Sequence, residues 1–446
     1  MVTQVQDKPE VSYLQQLLTL ASSSTIADQN LYLQNLRDRA KLELQEKAIP
    51  TPKDEDWRFT DLSALLQINF QVAKPIKLES KDIFPLTLPE AENSRLVFVD
   101  GEYSSELSSI QEEAGIFAGN LGNLPTSLQE RLENYLGQQQ GEFEVFSTLN
   151  TATFSDVAIV WVSKNKVVET PLHLLLISTA DDTPRWSQPR LLVVAESGSS
   201  INFIEHYASL DDCAGFSTSN PYLMNSVAEI WVEENAAVQH TRVQRDSPQA
   251  FHIGSTIISQ ARNSRYTINT VSLGAKLSRH NLNIYQRGEG TETTLNGLTL
   301  IGEEQLADTH SATFFNHRHG IYNQVHKCII DDRARGVFNG RVVVAQPAQL
   351  TNANQLSQNL LLSPQARINT KPQLEIVADD VKCSHGATVS QLEEDEIFYL
   401  RSRGLDDVTS RHLLIDAFAS EILQKLPIDS LQQILSRCVA CRTELQ

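Results

Sequence analysis

The sequence predicts a mainly β fold, with a β-helix core over about residues 144–391 between helical domains at 1–143 and 392–446. Three observations predict it. Many short β-branched runs follow one another without intervening helical patterns. Several of them share a turn followed by an alternating run, as stacked repeats do. Both ends of the chain instead repeat apolar residues at three- and four-residue steps.

At the N-terminal end, "NLYLQNLRDRAKLELQEKA" reads as an amphipathic helix that stops at "IPTPKDEDW". Pro50 and Pro52 there force extended backbone. A second helix is predicted over "PTSLQERLENYLG", opened by Pro125 and a Thr/Ser cap and closed by Gly137. "GQQQG" then reads as a linker.

The core runs include "VAIVWVS", "RLLVVAE", "AEIWVEE", "STIISQA", "YTINTVSL" and "GRVVVAQ", separated by Gly, Asn, Pro, Asp and Ser turns. Without helices between strands, a βαβ sheet is excluded in favour of a sandwich, barrel or solenoid. Aligning "EENAAVQH", "AQPAQLTN", "SPQARINT" and "ADDVKCSH" favours the solenoid. Val238, Leu350, Ile368 and Cys383 then share one column, and His240, Asn352, Thr370 and His385 another two residues on. Stacked rungs keep equivalent orientation at equivalent positions, so the first, largely apolar column is expected to face inward.

After about residue 392 the pattern is helical again. "LEEDEIFYLRSRG" has an acidic first turn, a basic last turn and a glycine stop, as the helix dipole favours. "DVTSRHLLIDAFASEILQKL" and "IDSLQQILSRCVACRTELQ" follow as amphipathic helices, the first closed by Pro427.

Composition narrows the function. The 446 residues carry 37 Lys+Arg against 55 Asp+Glu, a formal net charge of −18. That balance repels phosphate backbones, and no basic run interleaved with aromatics occurs, which argues against nucleic-acid binding. No apolar run approaches the roughly 18 residues of a membrane span. The start lacks the basic-then-apolar order of a secretory signal. A soluble cytoplasmic protein is expected, or a stromal one in a plastid-containing source. Five cysteines at irregular spacing (213, 328, 383, 438 and 441) read as reduced thiols rather than a disulfide framework.

Three thiol and imidazole groupings are candidates for chemistry. Cys383 and His385, two apart in "ADDVKCSHGAT", share a face if the segment is a strand. Thiolate and imidazole together suit a soft metal or a sulfur relay. Two inward side chains of one strand explain the pair equally, because the Cys383 column otherwise holds Val, Leu and Ile. "THSATFFNHRHGIYNQVHKC" gathers His310, His317, His319, His326 and Cys328. A rung could converge His317, His319, His326 and Cys328 on a divalent metal, and alternating polar residues on an exposed strand face are the competing explanation. Cys438 and Cys441 form a C-x-x-C without the second pair of a zinc site, which leaves packing on a helix face. The carboxylate pairs Asp331/Asp332 and Asp379/Asp380 raise the alternative of a β-helix polysaccharide lyase or hydrolase. Adjacent carboxylates point to opposite strand faces, and such enzymes are usually secreted. There is no P-loop, no dinucleotide fingerprint and no G-x-S-x-G, so the chain brings no nucleotide site of its own.

Residues 359–405, "NLLLSPQARINTKPQLEIVADDVKCSHGATVSQLEEDEIFYLRSRGL", closely resemble the SufB/SufD family of iron–sulfur cluster assembly proteins. "DDVKCSHGAT" is the wording of its SufD branch. "DDRARGVFNGRVVV" (331–344) and "PTPKDEDWRFTDL" (50–62) extend the resemblance along essentially the whole chain. It implies a right-handed parallel β-helix between N- and C-terminal helical domains, acting as a non-catalytic scaffold. It also implies pairing with SufB through the β-helices and docking of one SufC ATPase on the C-terminal helical domain, and leaves a homodimer open for the isolated chain. The family's functional histidine falls on His385, as a ligand or proton handler at the SufB interface, with Cys383 as the neighbouring thiol. The implied cargo is a transient iron or iron–sulfur cluster, with no tightly bound cofactor in the isolated chain.

Overall fold

The structure, a computed structural model, describes residues 9–21, 30–74, 76–141, 144–179, 183–210 and 220–444. Cys213 lies outside the described residues.

The core is a parallel β-solenoid of about seven turns in which successive long strands go alternately to two sheets. Sheet one stacks Tyr222–Val232, Phe251–Gln260, Leu277–Gln286, Leu306–Phe315, Arg335–Val344 and Arg367–Ile376. Sheet two stacks Ser200–Ser209, Ala237–Arg245, Arg265–Ser272, Glu292–Ile301, Ile321–Ile330, Asn352–Leu361 and Lys382–Ser390.

The turn chemistry explains the winding. Seven successive crossings from sheet one to sheet two each pass through one left-handed residue, Asn165, Gly198, Asn235, Asn263, Gly290, His319 and Leu350, and the last crossing, between Ile376 and Lys382, has none. Asn and Gly adopt that conformation at least cost. The N–H of each donates to a backbone carbonyl one turn on, as in Asn235 to Arg262 (3.0 Å), Asn263 to Glu289 (2.9 Å) and His319 to Gln349 (3.1 Å). The turns thus form a hydrogen-bonded ladder alongside the two sheets.

Strand alternation divides the side chains into a lumen and an outer face. The lumen holds the largest apolar cluster, including Ile201, Val238, Tyr266, Ile268, Leu295 and Tyr322 from sheet two and Ile230, Ile258, Ile284 and Val342 from sheet one. It also buries hydrogen-bonded histidine–carboxylate pairs. His240 Nε2 lies 2.8 Å from Glu205, and His252 Nδ1 lies 2.8 Å from Asp246.

Helices cover the outer faces. The amphipathic helix Leu31–Gln45 forms as expected, capped by Asn30, whose side chain accepts from the N–H groups of Tyr32 and Leu33. The helix expected at "PTSLQERLENYLG" is shorter, Thr126–Leu132. Within the region read as mostly helical, Ser94–Val99 joins sheet two and Ile116–Asn120 joins sheet one. "LVFV" and "IFAGN" are β-forming runs that the surrounding helical patterns mask. The "PTPKDEDWRFTDL" segment is pinned to sheet one by Arg279, which is fully buried. Its guanidinium carbon lies 3.9 Å over the Trp57 ring, and its Nη1 donates to the Asp56 carbonyl (2.8 Å) and pairs with buried Asp308.

Three helices end the chain, Glu394–Ser402, Asp407–Leu423 and Asp429–Glu444. Ile415, Ala419, Ile422, Leu431 and Leu435 pack against Val243, Val271, Leu298, Leu300 and Ile329 on the outer face of sheet two. Lys327, on that face, hydrogen-bonds the Phe418 carbonyl (3.2 Å) and pairs with Glu421. No described helix is long and apolar enough to cross a membrane.

The column alignment holds for half its members. Strand register links Val238 to Tyr266, Thr293, Tyr322, Ala353 and Cys383, and links His240 to Ile268, Leu295, Gln324, Gln355 and His385. Leu350 is instead the left-handed turn residue, and Asn352 pairs with Lys382. Ile368 and Thr370 lie on the opposite sheet. Both sheets alternate inward and outward alike, so a half-turn offset mimics a full-turn repeat in sequence.

Candidate functional site at the open end of the solenoid

The two ends of the solenoid differ. The N-terminal end carries short antiparallel strands, Glu102–Tyr103 and Ser109–Ile110 on sheet two and Ile116–Asn120 on sheet one. At the other end, Arg367–Ile376 and Lys382–Ser390 each pair on one edge only, and no described strand covers the second edge. Ile376, Val377 and Val389 are exposed there.

Cys383 and His385 occupy this last rung. Cys383 packs against the lumenal cluster, stacked on Ala353, and is partly buried. Burial pushes its thiol pKa up, against a weaker opposing hydrogen bond involving the Ala353 backbone. A raised pKa lowers the thiolate fraction, so Cys383 in this state is a small apolar contact more than a nucleophile. His385 shares the lumenal face two residues on but is exposed, because among the described residues no further rung lies above it. Ala353 and Gln355 lie beneath the pair, and further along the same face polar groups lie beneath Ala387 and Val389. Thr370 Oγ1 donates to Ser357 Oγ (2.9 Å), and Asn359 Nδ2 reaches Ser357 Oγ (3.1 Å) and the Thr388 carbonyl (2.8 Å). The end therefore presents one imidazole over Gln355 and one thiol over Ala353.

The histidine cluster is not brought together. His326 and Cys328 point into the lumen, both buried on the inner face of Ile321–Ile330. Burial lowers the His326 pKa to about 4 and raises that of Cys328 to about 12. His326 stacks on Phe338 at 4.6 Å between ring centroids. His317 and His319 instead sit in the exposed crossing turn, and His319 is its left-handed residue. Among the described residues, no group of three or more His, Cys, Asp or Glu side chains could hold a metal ion. His310 flanks the Arg279 anchor, 2.9 Å from Asp308. Cys438 is buried in the C-terminal helical packing and Cys441 is exposed.

Sequence reasoning missed the lumenal hydrogen-bonded pairs of Glu205 with His240 and Asp246 with His252. Their signal was present, since "NFIEHY" and "VQHTRV" place polar residues in phase with the inward apolar positions. It also missed a cleft of about 840 Å³ on the outer face of sheet one, lined by Lys47, Trp57, Asn283, Tyr285, Phe314 and Arg341 among others.

With this geometry in place, comparison with known proteins assigns the fold to a family. Residues 176–418 match the SufBD core domain of the SUF system for FeS cluster assembly, and residues 10–174 match the SufBD protein N-terminal region. An iron–sulfur cluster assembly SufBD family protein of Synechocystis is 50% identical over 413 residues, covering 92% of this chain and 91% of that protein. The chloroplastic protein ABCI7 of Arabidopsis thaliana is 36% identical, covering 91% of this chain and 85% of its own length. The iron–sulfur cluster assembly protein SufD of Escherichia coli is 33% identical, covering 89% and 90%. The chain belongs to the SufBD family of iron–sulfur cluster assembly proteins.

Proposed function

We propose that the chain is a non-catalytic scaffold subunit that pairs with SufB and one SufC ATPase and contributes His385 to an assembly site shared with SufB. The observation that carries this reading is the exposure of His385 on an inner face with no rung above it. One imidazole and one thiol fall short of the four ligands a tetrahedral iron or cluster site takes, so the remainder must come from a partner. The unpaired edges of Arg367–Ile376 and Lys382–Ser390 are where such a partner adds strands. The cluster is cargo of the complex, not a resident cofactor of this chain.

The C-terminal helices supply the second contact. Phe398, Tyr399, Val408 and Leu413 are exposed large hydrophobics on Glu394–Ser402 and Asp407–Leu423, away from the face buried on sheet two. The chain's lack of a P-loop fits a system whose nucleotide chemistry resides in the ATPase. Affinity purification of the tagged chain should recover SufB and SufC. His385→Ala should retain both partners while reducing cluster formation on the purified complex. Recovery of neither partner, or full cluster formation by the variant, would refute the proposal.

A further inference from the structure

The lumen changes character in its last turns. Along the column that ends in His385, Ile268 and Leu295 give way to Gln324 and Gln355. Each glutamine is almost fully buried, and together they form a directed ladder. Gln324 Nε2 donates to Ser311 Oγ (2.9 Å), and Gln324 Oε1 accepts from Tyr322 OH (2.7 Å) and from Gln355 Nε2 (2.7 Å). Gln355 thus spends a donor on the rung below.

Space for this arrangement comes from the facing sheet. A Cβ at Gly340 would lie 2.1 Å from Gln355 Nε2 and 2.8 Å from its Cδ, so glycine alone admits the amide there. The other end of the amide is unsatisfied, since Gln355 Oε1 is buried and has no hydrogen-bond partner. Leaving a buried acceptor unpaired forfeits its hydration without a replacement bond, and a native protein that keeps one calls for an explanation. The next residue in register, on the open side, is His385. Parallel neighbours lie about 4.8 Å apart, within reach of an imidazole that rotates toward the amide.

We propose that Gln355 is the positioning residue for His385, its Oε1 accepting one imidazole N–H so that the other ring nitrogen faces out of the solenoid with its lone pair free. A histidine that binds metal through one nitrogen characteristically donates from the other, which fixes tautomer and ring orientation. The inference rests on reading His385 as the ligand of the shared site, but it concerns this chain's own residues before any cluster is present.

The test is ring ¹⁵N NMR of the full chain with labelled histidine, the His385 signals being assigned by their absence in His385→Ala. In the wild type, above the titration range, one His385 tautomer should predominate. Gln355→Leu should shift the tautomer ratio by about 2- to 10-fold, the span of one net hydrogen bond. Gln355→Asn keeps an amide but shortens its reach, and should show the same shift if Gln355→Leu does not fold. An unchanged ratio in a folded variant would overturn the assignment. The readout involves no cluster and no partner, so a fixed tautomer alongside a harmless His385→Ala would refute the functional reading while leaving the positioning contact standing.

Discussion

Arg279→Met should detach the "PTPKDEDWRFTDL" segment from the solenoid at a cost large enough to measure. The wild-type guanidinium is fully buried, covers the Trp57 ring, donates to the Asp56 carbonyl and pairs with Asp308, itself almost fully buried. Burial alone would raise the Asp308 pKa. The Arg279 charge, then His310 and Thr60, outweigh that and hold it below the usual carboxylate value. Removing the guanidinium leaves a buried carboxylate with only the imidazole of His310 and the hydroxyl of Thr60. Breaking a buried pair from one side costs about 3–5 kcal/mol, whereas replacing both partners by apolar groups is often close to neutral. Equilibrium urea unfolding of the full chain should therefore show a loss of that order for Arg279→Met. Arg279→Met/Asp308→Leu should recover most of it, and limited proteolysis should cut near residues 50–62 faster in the single variant alone. A loss below about 1 kcal/mol, or a double variant no better than the single, would refute the argument that the ion pair anchors this segment.

Two further outcomes follow from burial. Burial, with a smaller contribution from Arg95, lowers the His173 pKa to about 3, and burial lowers that of His326 to about 4. The unfolded chain binds protons at these sites below about pH 6.5 while the fold does not, so stability falls as pH drops from there toward the folded values. For the two together the loss between pH 6.5 and 5 is about 3 kcal/mol, and urea midpoints that stay flat over that range would contradict the neutral burial of these imidazoles. Cys383→Ala should cost on the order of 1 kcal/mol in thermal or urea unfolding, with cluster formation on the complex intact. Loss of cluster formation at unchanged stability would assign the thiol to sulfur chemistry instead.

The sequence carries the local half of this structure well. The Asn and Gly turns, the β-branched runs and the amphipathic termini are short-range signals, and each produces the element it predicts. Val238 and Cys383 were placed in one column correctly, although five rungs separate them. Leu350 and Ile368 were misplaced because a solenoid repeats its inward alternation every half turn, and sequence spacing does not distinguish the two sheets. The same limit applies to the histidine-rich stretch. His317 and His319 have the spacing of His326 and Cys328, but a left-handed turn at His319 sends the first pair to solvent and the second into the lumen. The exposure of His385 was legible only in part. Its neighbours in sequence place it on a strand, while its access to partners depends on being in the last rung, a property of the whole stack.

One end of the solenoid carries short antiparallel strands, and at the other no described strand covers the last rung. A rod with two bare ends would join head to tail without limit, because each addition regenerates the surface it consumes. If the last rung is the pairing surface, as proposed, the first pairing consumes it, and growth stops at two rods whether the second is a copy or a different chain. On the proposed pairing, the asymmetry sets the number of rods before any side chain selects a partner. It also makes the unpaired chain a reservoir of exposed strand edge, so cells that synthesise it in excess of the proposed partner should accumulate aggregate or like-with-like pairs.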